Sequence, residues 1–157
     1  MDLRLRPLRD DELGEFIEAS RGEYVEGLVE HARMPPDFAH RKAERDLASV
    51  TGLAAIPEGH SLYWIEGGGE RIGRLWFEER PSPRVGRFAW LNEVEIDEPF
   101  RGHGYGRRAL DLLEEEVRRR GIPEIVLNVW GGNDVARALY RSEGYFERAV
   151  EMAKELA

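Results

Sequence analysis

The sequence contains no cysteine. That absence removes disulfides, thiolate metal sites and any thiol nucleophile. The four histidines, His31, His40, His60 and His103, lie scattered without metal-ligand spacing, so no metal site is expected. Apolar runs are short: none approaches the roughly 20 residues of a membrane span. The opening MDLRLRPLRDDEL lacks the apolar segment of a secretory signal, which predicts a cytoplasmic protein with no membrane contact. Lysine is nearly missing, since only Lys42 and Lys154 are lysines among 23 basic residues. The skew is compatible with genome composition or with thermal adaptation. The formal net charge of −8 argues against a nucleic-acid partner, which normally meets a basic face.

What is present reads as an ordinary globular chain, 157 residues with 41% hydrophobic and 34% charged positions. One domain spanning 1–157 is expected, because there is no repeat, low-complexity tract or linker. LRLRPL alternates as a first strand, and residues 10–32 carry Leu13, Phe16, Ile17, Tyr24 and Leu28 at helical spacing, with Asp10 as a cap. Pro35-Pro36 opens a second helix through DFAHRKAERDLASV. HSLYWIE, GGGE and RIGRLWFEER form a hairpin pattern, and FAWLNEVEI (88–96) is the next strand. A helix follows and stops at Gly121 and Pro123, then EIVLNVW (124–130) reads as a buried central strand. A last helix over 134–143 is closed by Gly144, and YFERAVEMAKEL reads as a terminal strand or strand pair. The class is α/β (α+β), a mixed sheet of about six to seven strands flanked by about four helices. The run EEEVRRR at 114–120 offers i,i+4 pairs in the favourable order, as a solvated helix face does.

Chemistry concentrates in FRGHGYGRR, residues 100–108, between a strand and a helix. Gly102, Gly104 and Gly106 let consecutive N–H groups turn inward, and the helix N-terminus adds free donors and partial positive charge. Arg101, Arg107 and Arg108 can add charge-assisted hydrogen bonds to a phosphate or pyrophosphate. On its own the loop fits an anion site and a glycine-rich turn with solvated arginines equally well. It is no P-loop, since no lysine is present. It is no dinucleotide fingerprint either, because Gly102 lies five residues past Ile96 and the next strand lacks the acid such a site needs.

Arg101-Gly102-His103-Gly104-Tyr105-Gly106 has the form R-x-x-G-x-G and resembles the coenzyme A pyrophosphate loop of the GNAT superfamily of N-acetyltransferases. Downstream, NDVARALYRSEGY (133–145) is similar to that family's N-x-x-A-x-x-L-Y-x-x-x-G-F/Y pattern at Asn133, Ala136, Leu139, Tyr140, Gly144 and Tyr145. The two motifs stand in the family's order, and the resemblance is close over about residues 86 to 146. PEGHSLYWIEGGGERIGRLWF with LNVWGGN resembles a bacterial branch of uncharacterised acetyltransferases, which brings no known acceptor.

The resemblance implies acetyl-CoA as cosubstrate, no metal, and two splayed central strands, 88–96 and 124–130, with the pantetheine arm between them. Backbone groups of Val94, Glu95 and Ile96 would bond the arm as an added strand. Backbone N–H groups from Gly102 to Arg107, including His103 and Tyr105, would hold the pyrophosphate. Asn133 would reach the arm or cap its helix. Tyr140 would protonate or stabilise the departing thiolate. For amine deprotonation Glu93 is the first candidate, with Glu95 and His60 behind it; Asn128 stands where some relatives carry a glutamate. The apolar parity changes across Asn92-Glu93, which predicts a β-bulge there. Without cysteine, direct attack of a primary amine on acetyl-CoA in a ternary complex is the expected mechanism. Residues Tyr24, Glu26, His31, Trp64, Trp76 and Trp90 are candidates to line the acceptor side. The acceptor stays open between a small-molecule and a protein amine. The rival readings are a coenzyme A-binding sensor without turnover and a generic nucleotide-binding domain. Exposed strand edges and family habit point to a homodimer.

Overall fold

The computed structural model describes residues 1–157. Five strands form one sheet in sequential order: β1 (Leu3–Pro7), β2 (His60–Gly67), β3 (Glu70–Ser82), β4 (Gly86–Ile96) and β5 (Ile125–Leu127). The first three pairings are antiparallel, and β4 with β5 is parallel. Four helices accompany them: α1 (Leu13–Glu30), α2 (Pro36–Asp46), α3 (Tyr105–Arg119) and α4 (Asp134–Ser142). No helix is long and apolar enough to cross a membrane.

The period-2 pattern of the strands sends alternate side chains to two separate cores. Tyr63, Ile65, Leu75, Phe77 and Leu91 pack with Ala109, Leu110, Leu113 and Val117 of α3. On the opposite face Leu62, Trp64 and Trp76 pack with Leu13, Phe16 and Ile17 of α1. The Phe16 ring sits 5.2 Å from Trp64 and 6.4 Å from Trp76. The β2–β3 turn is made by Gly68 and Gly69, both at positive φ, which suits a tight hairpin. Arg120 ties the end of α3 to the sheet by bonding Ser61 Oγ and Tyr63 Oη, both at 2.7 Å.

Four differences from the sequence reading matter. Asp10 does not cap α1, which starts at Leu13; its carboxylate accepts instead from the backbone N–H of Ile56. Glu114–Arg118 and Glu116–Arg120 form as i,i+4 pairs, but Arg119 turns to Glu116 rather than Glu115. The strand expected over 124–130 keeps only Ile125–Leu127 and lies at the sheet edge, because its chain leaves β4 after Leu127. The strand count is five rather than six to seven, since residues 145–157 make no ladder. Phe146, Val150, Met152 and Leu156 there stay exposed, so no strand face is buried. Glu147 bonds Arg137 and Arg141 of α4, and Arg148 bonds Glu124.

The bulge expected near Asn92-Glu93 is present: Phe77 pairs with Leu91 and Trp76 with Glu93, leaving Asn92 without a cross-strand partner. Just beyond, Gly73 faces Ile96, where an added Cβ would lie 2.1 Å from the Glu95 carbonyl oxygen. That oxygen belongs to backbone on the neighbouring strand and cannot give way as a side chain would. Gly73→Ala should therefore lower unfolding free energy in urea by about 1–3 kcal/mol. An unchanged urea midpoint would contradict this placement.

Candidate active site

Between β4 and β5 the sheet comes apart. The strands pair at Ala89–Leu91 with Ile125–Leu127, and residues 92–96 of β4 continue with β3 on one side and no strand on the other. A parallel pair that parts in this way leaves backbone donors and acceptors facing a cleft. Val94 packs on the α3-side core and Ile96 belongs to it. Glu93 and Glu95, of opposite parity, face α1 with Trp76 and Arg74 across the strand.

At the C-terminal end of β4 the chain makes a short turn, Glu98–Phe100, and then the glycine loop. Gly102 and Gly104 take positive φ, +79° and +80°, and Gly104 is the N-cap of α3. A Cβ at either would be strained for its backbone conformation. Gly106 serves another purpose: a Cβ there would meet Leu139 of α4 at 3.3 Å, so it brings α3 and α4 together. No acidic residue lies in the first turn of α3, and its first N–H groups have no partner within the helix. The terminus is thus an uncancelled positive pole suited to an anion. His103 stacks on Tyr105 with centroids 5.7 Å apart and turns Nδ1 to the Phe100 carbonyl at 3.2 Å.

The arginines of the loop are already engaged. Arg107 reaches Glu143 at 2.9 Å and Ser142 at 3.1 Å. Arg108 lies 3.6 Å from Asp111. Arg101 folds back along β4, donating from Nε to the Ile96 carbonyl at 2.8 Å and from Nη2 to Glu95 at 2.8 Å, with Glu23 of α1 at 3.6 Å.

On the α1 side Arg74, only 5% exposed, donates from Nε to Glu93 at 3.2 Å and from Nη1 to Asp97 at 3.1 Å. Its Nη2 has no partner. Glu93 also accepts a hydrogen bond from Ser20 Oγ of α1. Burial pushes the proton affinity of Glu93 up, against the Arg74 charge and the Ser20 bond. Burial first, and then the Glu23 charge, push the Glu95 pKa up to about 7. These are two carboxylates with perturbed titration on one strand, at the edge of a cleft.

Tyr140 projects from α4 and packs against the α3-side core beside Tyr145, ring centroids 5.5 Å apart. Burial, with a smaller contribution from Glu95, raises its pKa to about 12, so the phenol stays protonated at neutral pH. Asn133 caps α4, its side-chain oxygen accepting from the Ala136 N–H at 3.1 Å.

Among the other sequence candidates, Trp64 and Trp76 are core residues, and the Trp76 indole donates to His60 Nδ1 at 3.0 Å. Tyr24 bonds Asp46 at 2.7 Å within the α1–α2 pair. Trp90 carries Arg80 over its ring at 4.6 Å. Glu26 is exposed, and His31 presents its carbonyl against Gly132. Asn128 lies past the end of β5. Sequence reading missed Ser20, Glu23, Arg74 and Asp97. The one local signal was an arginine sharing its strand face with Trp76. A groove of about 580 Å³ lined by Met34, Pro35, Phe38, Arg41, Lys42 and Arg45 lies along α2 and shares no residue with this cluster. No group of three or more His, Asp or Glu side chains is arranged to hold a metal ion.

Residues 25–145 match the model of the acetyltransferase (GNAT) family. The chain is 26% identical over 157 residues to the uncharacterised N-acetyltransferase YycN of Bacillus subtilis, covering 99% of this chain and 100% of that one. The crystal structure of YycN superposes with a TM-score of 0.88 at 25% identity, over 99% of both chains. The uncharacterised N-acetyltransferase YdgE of the same organism is 28% identical over 155 residues, 94% of this chain and 96% of that one. An acetyltransferase of Clostridium acetobutylicum, solved with acetyl-CoA, shares the fold at a TM-score of 0.64 and 16% identity, over 97% and 96% of the two chains. The parted strands, the glycine loop and the matched family model lead to one conclusion: the chain belongs to the acetyltransferase (GNAT) family.

Proposed function

We propose that this protein transfers the acetyl group of acetyl-CoA to a primary amine by direct attack in a ternary complex. The observation that carries the reading is the conjunction at one cleft of an anion-binding helix start, unpaired β4 backbone and two groups able to move protons. The pantetheine arm, with its amides, supplies partners for Val94, Glu95 and Ile96 in the manner of an added strand. N–H groups from Gly102 through Arg107, with His103 and Tyr105 among them, hold the diphosphate. Arg101 and Arg107 have the charge to assist once they leave their present carboxylates. Asn133 caps α4 and stands beside the arm.

The steps balance simply. The neutral amine attacks the thioester carbonyl carbon; the carbon–sulfur bond breaks and an amide bond forms. The thiolate takes its proton from Tyr140, which is protonated at neutral pH. A carboxylate accepts the proton lost by the amine. Both oxygens of Glu93 are engaged, by Ser20 and Arg74, whereas Glu95 is held by Arg101 alone at a partly exposed position. We therefore assign proton removal to Glu95, with Glu93 as the charge that keeps Arg74 in place.

A thiol-release assay across a broad amine panel tests the activity; tight acetyl-CoA binding with no turnover on any amine would favour a coenzyme A sensor instead. Tyr140→Phe should lower kcat by about 100-fold while leaving acetyl-CoA affinity within a few-fold; an equal loss of affinity would point to a packing role. Glu95 must be ionised to accept a proton, so activity should rise with pH through about 7. Glu95→Gln should remove that ascending limb. A limb that survives in the variant would move the role to Glu93 or to water.

A further inference from the structure

The electrostatics of the α1-facing side of the cleft indicate what the acceptor looks like. Four carboxylates meet there: Glu23 from α1, Glu93 and Glu95 from β4, and Asp97 just beyond it. Arg74 pairs with Glu93 and Asp97, and Arg101 with Glu95 and Glu23. The Glu23–Glu95 pair already holds a cation. Arg101 Nη2 stands 2.8 Å from Glu95 and 3.6 Å from Glu23, in a place solvent reaches, since the Glu95 and Glu23 side chains are 28% and 34% exposed. An ammonium group is smaller than the guanidinium it would replace.

A second observation comes from Arg74. Its guanidinium is committed at Nε to Glu93 and at Nη1 to Asp97, the residues two positions before and after Glu95. Its cross-strand partner in register is Glu95 itself. Nη2 lies in that neighbourhood with its hydrogens unmatched. A buried guanidinium hydrogen without an acceptor is costly, and Glu95 does not relieve it, its side-chain hydrogen bond running to Arg101. Arg74 thus lacks an oxygen partner on the strand face it shares with Glu95, the carboxylate that Arg101 holds.

We propose that Glu23 and Glu95 bind the acceptor's ammonium, and that Arg74 Nη2 receives an oxygen adjacent to that amine, making the acceptor an α-amino carbonyl compound: an amino-acid derivative or a peptide N-terminus. The proposal rests on the acetyltransferase reading and deepens it. Arg101 occupies the ammonium position in the donor-free protein and vacates it when the diphosphate draws it toward the glycine loop. An α-amine carries its carbonyl one carbon away and can satisfy both groups. A lysine ε-amine carries its nearest carbonyl five carbons away, and a simple alkylamine carries none. On reaction one proton of the bound ammonium passes to Glu95, the neutral amine nitrogen bonds to the acetyl carbon as the carbon–sulfur bond breaks, coenzyme A leaves as the thiol with the Tyr140 proton, and the second proton lost by the nitrogen restores Tyr140.

The test compares alaninamide and an alanyl tripeptide with isopropylamine and Nα-acetyl-lysinamide at saturating acetyl-CoA. The alanine compounds should exceed the other two in kcat/KM by about 100-fold. Glu23→Gln should raise the alaninamide KM about tenfold with the acetyl-CoA KM unchanged. Arg74→Lys, checked for folding by circular dichroism, should erase the preference for alaninamide over isopropylamine. Equal rates on isopropylamine or on the lysine ε-amine would overturn the proposal. A protein that turns over none of the four leaves binding as the readout, which separates failure of the acetyltransferase reading from failure of this one. With coenzyme A bound, alaninamide should shift amide resonances around Glu23 and Glu95 in NMR titration, and Glu23→Gln should weaken that binding. In donor-free protein the shifts should appear for Arg101→Gln and not for the unmodified chain. No shift in either state would overturn it.

Discussion

One half-paired stretch of strand carries the whole arrangement. Residues 92–96 of β4 are held on one side by β3 and open on the other. Unpaired backbone polar groups are tolerated at a cleft because water or a ligand can complete them. Three local features keep that stretch in place without a second strand. The bulge at Asn92 re-aims the chain. Gly73 lets β3 approach the Glu95–Ile96 peptide closely. The Arg74 side chain anchors Glu93 and Asp97 from the α1 side. The glycine loop and α3 start where this stretch ends, so the position of the positive helix terminus follows from it.

The charges around the stretch are arranged as internal substitutes. Arg107 and Arg101 each rest on carboxylates of their own chain rather than projecting freely. Such pairs at partly exposed positions contribute little to stability, which leaves them available for exchange when a stronger anion arrives. Burial first, and then the charge of Glu23, which shares Arg101 with it, raise the proton affinity of Glu95. Holding a carboxylate near neutrality suits it to take a proton from an amine.

Much of this was legible in the residues themselves. Gly102 and Gly104 were readable because positive φ and access to backbone N–H groups demand glycine. The bulge was readable because apolar parity breaks between Leu91 and Val94. Asn133, Ala136, Leu139 and Tyr140 carry helical spacing that matches a known pattern. Arg74, Ser20, Glu23 and Asp97 were not readable as a set. An arginine inside RIGRLWF looks like the solvent-facing half of an alternating strand, and only the tertiary approach of α1 encloses it. The end of the sheet was misjudged for a related reason. EIVLNVW is apolar enough for a full strand, yet pairing depends on a neighbour that departs after Leu127, and YFERAVEMAKEL finds no edge to join.

The proposed chemistry is a single transfer between two molecules held together at the parted strands, with no covalent stop on the protein. Initial rates of thiol release measured over a grid of acetyl-CoA and amine concentrations test this most directly. Double-reciprocal lines that intersect are the predicted result; parallel lines, or coenzyme A released in proportion to enzyme before any amine is added, would contradict it.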